Sequence, residues 1–176
     1  MQDPIAGPIV ALLRQFGALP KAEADGWDGE PSAWADADSL TQRLSAFSQK
    51  NLGAFKQFVA EIVAGDFDAA QVDARLDAEI AASGVVMFSF TSCPFCKKAK
   101  ELLDAKGAKY TVLELDLDSD GAALRARLGR KTGRTSVPAV WIDGTYVGGL
   151  NDGEPGLQPL ETAGKLDQML KLAKAV

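Results

Sequence analysis

Apolar positions recur with two different periods along the chain, and the change from one to the other divides it. From Ser39, a residue type suited to a helix N-cap, Leu40, Leu44, Phe47, Phe55, Phe58, Val59, Ile62 and Val63 return at helical spacing as far as Gly65. They predict a long amphipathic helix, bent or broken near Asn51-Leu52-Gly53. Asp68 then caps a second helix, with Val72, Leu76 and Ile80 on its apolar side and Ser83-Gly84 at its end. Ahead of both, Ile5 to Phe16 is a short apolar segment, with Pro8 where a first helical turn tolerates proline. Lys21 to Asp38 has no period and predicts a tether, anchored by Trp27 and Trp34.

After Gly84 the period shortens. Val85-Val86-Met87-Phe88-Ser89-Phe90 is a β-rich apolar run bounded by turn residues, which suits a buried strand. Pro94 to Lys106 predicts a helix, with Phe95, Ala99, Leu102 and Leu103 on one face and Gly107 at its end. Tyr110 to Leu115 follows as a second strand and Ser119 to Leu128 as a second helix ended by Gly129, so the two strands are expected to be parallel with a crossover between them. Val137 to Ile142 and Thr145 to Val147 flank Asp143-Gly144, a strong hairpin signal. Leu160 to Ala173 closes the chain as one amphipathic helix. The order β-α-β-α-β-β-α predicts an α/β unit, a mixed sheet flanked by helices, over residues 76–176, and residues 1–75 form an α-helical N-terminal extension. No internal repeat is visible.

Composition narrows the chemistry. The 176 residues are 47% hydrophobic, and no apolar run nears the ~20 residues of a membrane span, so a soluble globular chain is expected. Zero histidine removes Ser-His and Cys-His pairs, HExxH sites and Cys₂His₂ fingers. The net charge of -5 falls entirely in residues 1–75, where 6 Lys and Arg stand against 11 Asp and Glu. Such an acidic stretch disfavours nucleic acid and anionic membrane as partners. Met1-Gln2-Asp3-Pro4 has neither the basic start of a signal peptide nor the Arg/Ser richness of a transit peptide.

The two cysteines, Cys93 and Cys96, are separated by Pro94 and Phe95. A bridge closing so small a loop removes little entropy from the unfolded chain, so its use is chemical rather than structural. Cys93 falls where the first strand ends and its helix begins, facing unpaired amides and the positive end of the helix dipole. With Lys97 and Lys98 in the next turn, this can lower a thiol from ~8.5 into the range of roughly 3.5 to 7.5, giving a nucleophile without histidine. Cys96, one turn along and covered by the helix, is placed to resolve a mixed disulfide held on Cys93. A CxxC pair can also be half of a metal site or two core thiols; its place between strand and helix favours the redox pair, and no metal is expected.

Thr91-Ser92-Cys93-Pro94-Phe95-Cys96, Thr135-Ser136-Val137-Pro138 and Gly148-Gly149-Leu150-Asn151-Asp152-Gly153 together resemble the active site of dithiol glutaredoxins, particularly the plant and algal kind, over roughly residues 80–175. Thioredoxin itself is less similar, with a Gly-Pro pair between its cysteines and no Gly-Gly-x-x-Asp signature. The resemblance implies a thioredoxin-like fold with a four-stranded sheet. It also implies glutathione-dependent reduction of protein–glutathione mixed disulfides and protein disulfides, with glutathione as cosubstrate, thiol-modified client proteins as partners, a monomer, and a reducing compartment such as cytoplasm or plastid stroma. It makes Cys93 and Cys96 the catalytic pair. Val137-Pro138 becomes a cis-proline turn whose Val137 backbone pairs with the glutathione peptide, with Ser136 beside it; from the residues alone this bond could be of either isomer. Gly149, Asn151 and Asp152 match the positions that hold the γ-glutamyl end, after Gly148 lets the backbone approach.

Two departures stand out. The lysine that the family often carries three residues before the first cysteine is Phe90 here, leaving Arg134 as the best candidate cation for the glycine carboxylate of glutathione, with Lys97 and Arg130 behind it. Leu150 stands where many relatives have a third cysteine. A rival is carriage of a glutathione-ligated [2Fe-2S] cluster by a dimer, against which Pro94 weighs by stiffening the turn. Residues 1–75 pack on the far side of the sheet or dock a client.

Overall fold

The computed structural model describes residues 53–176. The expected Ile5–Phe16 segment, the tether with Trp27 and Trp34, and the start of the long helix from Ser39 lie outside the described residues. What is described of that helix, α1, runs over residues 53–64 and stops at Gly65, whose φ of 66° ends it. α2 (Ala69–Ala81) follows, with the Asp68 carboxylate accepting from the amides of Ala70 and Gln71 as its N-cap. Then come β1 (Val85–Ser89), α3 (Pro94–Ala105), β2 (Thr111–Glu114), α4 (Gly121–Thr132), β3 (Ala139–Ile142), β4 (Thr145–Gly148), α5 (Leu157–Thr162) and α6 (Leu166–Leu172).

The four strands lie in the order β2-β1-β3-β4, parallel between β1 and β2 and antiparallel elsewhere. This is the expected thioredoxin-like sheet, with helices on both faces. All five residues of β1 are buried, because Val85 and Met87 point to one face while Val86 and Phe88 point to the other. The first face is sealed by Ala99 and Leu103 of α3 with Leu157, Leu166 and Leu170 from the last two helices. The second is sealed by Leu124 and Leu128 of α4 together with Val72, Leu76 and Ile80 of α2, around the Phe88–Trp141 edge-to-face pair at 5.2 Å. The hairpin turn is as expected, with Asp143 and Gly144 both at positive φ, 51° and 69°.

Three expectations need correction. α4 does not end at Gly129 but continues to Thr132, and the stop is Gly133 at φ 73°. Gly129 is there for close packing, since a Cβ would stand 1.9 Å from Gln57 Oε1 of α1 and 2.5 Å from Thr135 Cγ2. The C-terminal helix is two helices, because Gly164 at φ 67° closes α5 with its amide on Glu161 O (2.9 Å) and the Lys165 amide on Leu160 O (2.9 Å). α1 buries Val59 and Ala60 and turns Phe55 and Phe58 outward, 52% and 58% exposed, because Gln57 and Glu61 are the residues held by α4.

The boundary drawn at 75/76 lies inside α2, whose Val72, Leu76 and Ile80 share the cluster of Phe88 and Trp141. Ion pairs reinforce this docking: Arg127 with Asp73 at 2.6 Å, Lys131 with Asp77 at 2.8 Å, and Arg75 with Asp118 and Asp120 at 2.5 and 2.9 Å. Such half-exposed pairs orient α2 more than they stabilise it. The apolar contacts carry the weight, so Leu76→Ala, at a site 1% exposed, is expected to cost about 2–5 kcal/mol in urea unfolding. A cost below about 1 kcal/mol would show α2 to be peripheral to the core.

Candidate active site

β1 ends at Ser89, and four residues later Cys93 is the N-cap of α3, with extended backbone at φ -77° and ψ 119°. The connecting turn is closed by the Cys93 amide on Phe90 O (3.2 Å). It is tied to the end of β2 by Asp116, which accepts from the Thr91 amide at 3.1 and 2.9 Å and from its hydroxyl. Pro94 occupies the first helical position, where no amide hydrogen is missed. One amide of the first turn points at sulfur: Cys96 N donates to Cys93 Sγ at 3.4 Å.

Both cysteines are thiols, in very different surroundings. Cys93 is half-buried, with its sulfur 3.8 Å from Val137 O. Cys96 is fully buried beneath the helix. Burial pushes its ionisation up, and the adjacent Cys93 sulfur pushes it further.

Val137 and Pro138, joined by a cis bond, lead into β3 beside the nucleophile. Farther along the same edge, Arg134 Nη2 donates to Asp152 Oδ2 at 2.7 Å and to Ser136 Oγ at 3.4 Å, which brings three of the expected binding residues together. Gly149 joins them: its amide donates to Asp152 O at 2.7 Å, and a Cβ there would stand 3.0 Å from Asp152 Oδ1 and 3.2 Å from Pro138 O. The crowding at Gly148 comes from its own chain, since a Cβ would lie 2.7 Å from both Asp152 O and Glu154 N. Asn151 begins the shallow recess that continues over Gln158, Pro159 and Thr162.

Two candidates stand apart from this group. Lys97 is exposed, and its backbone amide donates to Cys93 O at 3.1 Å. Arg130 is paired with Glu61 of α1. Other residues do what their positions in the sequence gave no sign of. Arg125 stands over the Phe90 ring, 5.2 Å from its centroid, with Nε donating to Thr135 O at 2.8 Å, and burial lowers its ionisation. Lys56 of α1 is half-buried, and its ionisation is lowered first by that burial and then by the charges of Arg134 and Arg125. Asp116 is one acidic residue among several between β2 and α4, and only its contact with Thr91 marks it out. Among the described residues no group of three or more His, Cys, Asp or Glu side chains could hold a metal ion, and no helix is long and apolar enough to cross a membrane.

The geometry thus combines one accessible sulfur at a helix start, a second sealed behind it, a backbone edge alongside, and a charge pair at the far end. Comparison with known proteins gives this arrangement a relative. A family model described as Glutaredoxin matches residues 85–147. A glutaredoxin of Ricinus communis is 47% identical over 70 residues, covering 40% of this chain and 69% of that protein. A glutaredoxin of Pseudomonas aeruginosa is 44% identical over 86 residues, covering 49% of this chain and 94% of that protein. Among solved structures, a buckwheat glutaredoxin–glutathione complex superposes with a TM-score of 0.58 at 33% identity, covering 61% of this chain and 94% of that one.

The two sulfurs are expected to differ in reactivity. A thiol whose ionisation is raised stays protonated while an ordinary thiol ionises, so the native protein treated with limiting iodoacetamide between about pH 6 and 9 should be alkylated at Cys93 alone. Cys96 should react only after unfolding. Peptide mapping by mass spectrometry reads the outcome, and native labelling at Cys96 would contradict the burial difference.

Proposed function

The chain belongs to the glutaredoxin family, whose chemistry is glutathione-dependent thiol–disulfide exchange, and from that premise we propose that it reduces protein–glutathione mixed disulfides through Cys93. The observation that carries this reading is the half-buried Cys93 sulfur at the start of α3 with Cys96 sealed behind it. In the first step the Cys93 thiolate attacks the glutathione sulfur of the mixed disulfide. The client–glutathione S–S bond breaks, a Cys93–glutathione disulfide forms, and the client leaves as thiolate and takes up a proton. In the second step a glutathione thiolate attacks the glutathione sulfur on Cys93, forming oxidised glutathione and returning Cys93 as thiolate.

Protein disulfides take a longer route, in which Cys96 resolves the Cys93–client intermediate and the resulting Cys93–Cys96 disulfide is reduced by glutathione. Because Cys96 starts as a buried thiol, it must hand its proton on as it attacks, and it serves as the second sulfur rather than the first. Binding falls to the edge beside the nucleophile. Val137 offers backbone groups to the glutathione peptide, and Asp152 with Gly149 and Asn151 takes the γ-glutamyl end, its carboxylate on the ligand's ammonium. Arg134, with Ser136 next to it, takes the glycine carboxylate once glutathione's ammonium has replaced it at Asp152. A reducing compartment suits such a cycle.

A glutathione-coupled assay on a small glutathione mixed disulfide tests the proposal. Cys93→Ser should fall to the uncatalysed background, whereas Cys96→Ser should keep most of the rate while losing activity on protein disulfides. Equal loss of activity on the mixed disulfide in both variants would contradict the route through Cys93 alone.

A further inference from the structure

The turn that passes beside the nucleophile is anchored on α4. The Thr132 hydroxyl donates to Leu128 O at 2.8 Å and accepts from the Arg134 amide at 3.2 Å, which folds the chain back on the last turn of the helix. Arg125 Nε then donates to Thr135 O at 2.8 Å. Thr135 is buried, 5% exposed, and its methyl faces Gly129 of α4, where a Cβ would stand 2.5 Å from Thr135 Cγ2. Two residues farther on, Val137 O lies 3.8 Å from the Cys93 sulfur.

The same point above Gly129 is shared with α1, a helix outside residues 85–147, the part matched by the family model. A Cβ on Gly129 would stand 1.9 Å from Gln57 Oε1. Two atoms so close to one point are in van der Waals contact with each other, so the Gln57 amide and the Thr135 methyl meet over the glycine. Gln57 is held there from both ends of its surroundings. Its Nε2 donates to Ala126 O at 3.0 Å and to Glu61 Oε1 at 2.8 Å, and Glu61 pairs in turn with Arg130. Val59 and Ala60 of the same helix are buried. Gln57 Oε1 itself is buried and, among the described residues, has no hydrogen-bond partner. Leaving that acceptor unpaired is unfavourable, so what Gln57 brings to Thr135 is bulk, at a reach fixed by its amide nitrogen.

We propose that Gln57 of α1 is a positioning residue for the substrate-binding turn: packed over Gly129 against Thr135, it holds the Thr135–Pro138 backbone where Val137 meets the glutathione peptide beside Cys93. This rests on the glutathione-dependent function proposed above. Gln57 touches no substrate atom and acts through Thr135. A displacement of Thr135 is passed on to Val137 because Ser136 alone separates them, while the far end of the turn is fixed by the pairing of β3 with β1. The helix before the family-like domain thereby sets substrate affinity and leaves the nucleophile, which caps α3, as it is.

The full chain is assayed on a small glutathione mixed disulfide. Gln57→Ala opens space beside Thr135 and should raise KM by about threefold to tenfold at unchanged kcat, whereas Gln57→Met, unbranched and of similar length, should keep the unsubstituted KM. Iodoacetamide should alkylate Cys93 at one rate in all three proteins. In amide correlation spectra Thr135, Ser136 and Val137 should be displaced in Gln57→Ala and much less in Gln57→Met. An unchanged KM in Gln57→Ala, an equal rise in Gln57→Met, or a rise matched by slower alkylation of Cys93 would overturn the positioning role while leaving the proposed activity intact. Failure of the unsubstituted chain to turn over the mixed disulfide would instead overturn the proposed function. The amide spectra would then decide alone, and undisplaced Thr135–Val137 signals in Gln57→Ala would overturn the positioning role as well.

Discussion

β3 runs antiparallel to β1 with Phe88 opposite Ala139, and the whole site depends on that register. Residues that leave β1 at its C-terminal end and residues that enter β3 at its N-terminal end must then share one edge of the sheet. Cys93 lies just beyond the first, and Val137-Pro138 just before the second, which is why the sulfur comes within 3.8 Å of Val137 O. The pairing of Val140 with Gly148 extends the same edge to the Gly149–Asp152 loop. A slip of one residue would turn Val86 and Phe88 toward the wrong helices and carry Val137 away from the sulfur. Burial of β1 on both faces is what makes such a slip costly.

The electrostatics are arranged around α4. Its outward arginines and lysine take Asp73, Asp77 and Glu61 from the two preceding helices, so part of the acidic charge of the N-terminal segment is spent on docking. Its inward arginine, Arg125, instead stands over the Phe90 ring and donates to Thr135 O. One helix therefore ties α1 and α2 to two segments that flank the cysteine pair and the Val137-Pro138 turn. Because exposed pairs are individually weak, the coupling depends on their acting together with Val59, Val72, Leu76 and Ile80.

Much of this was legible in the chain because it is local. Strand and helix periods, the Asp143-Gly144 turn, the Asp68 cap and the place of Cys93 between a strand and a proline are all decided within a few residues. The failures have equally specific causes. Gly129 looks like a helix stop, but its missing side chain is required by Gln57, far away in the sequence; Gly164 breaks a pattern that is apolar enough to read as one helix. Phe55 and Phe58 fit the apolar face of α1 by spacing, yet the face that docks is the one whose Gln57 and Glu61 find partners on α4.

The order of elements, the pairing of an accessible with a buried cysteine, and the family resemblance are all readable from the chain alone, since each follows from nearest neighbours and spacing. Which cations find partners near the site came from the packing. Lys97, adjacent in sequence, is left exposed and Arg130 is taken up by Glu61, while Arg134 meets Asp152 and Arg125 stands over Phe90. The physical reason is the range of the interaction. A turn or a cap is settled by the backbone within one or two residues, but a charge is placed by the packing of the whole helix that carries it, and for α1 that packing runs through α4.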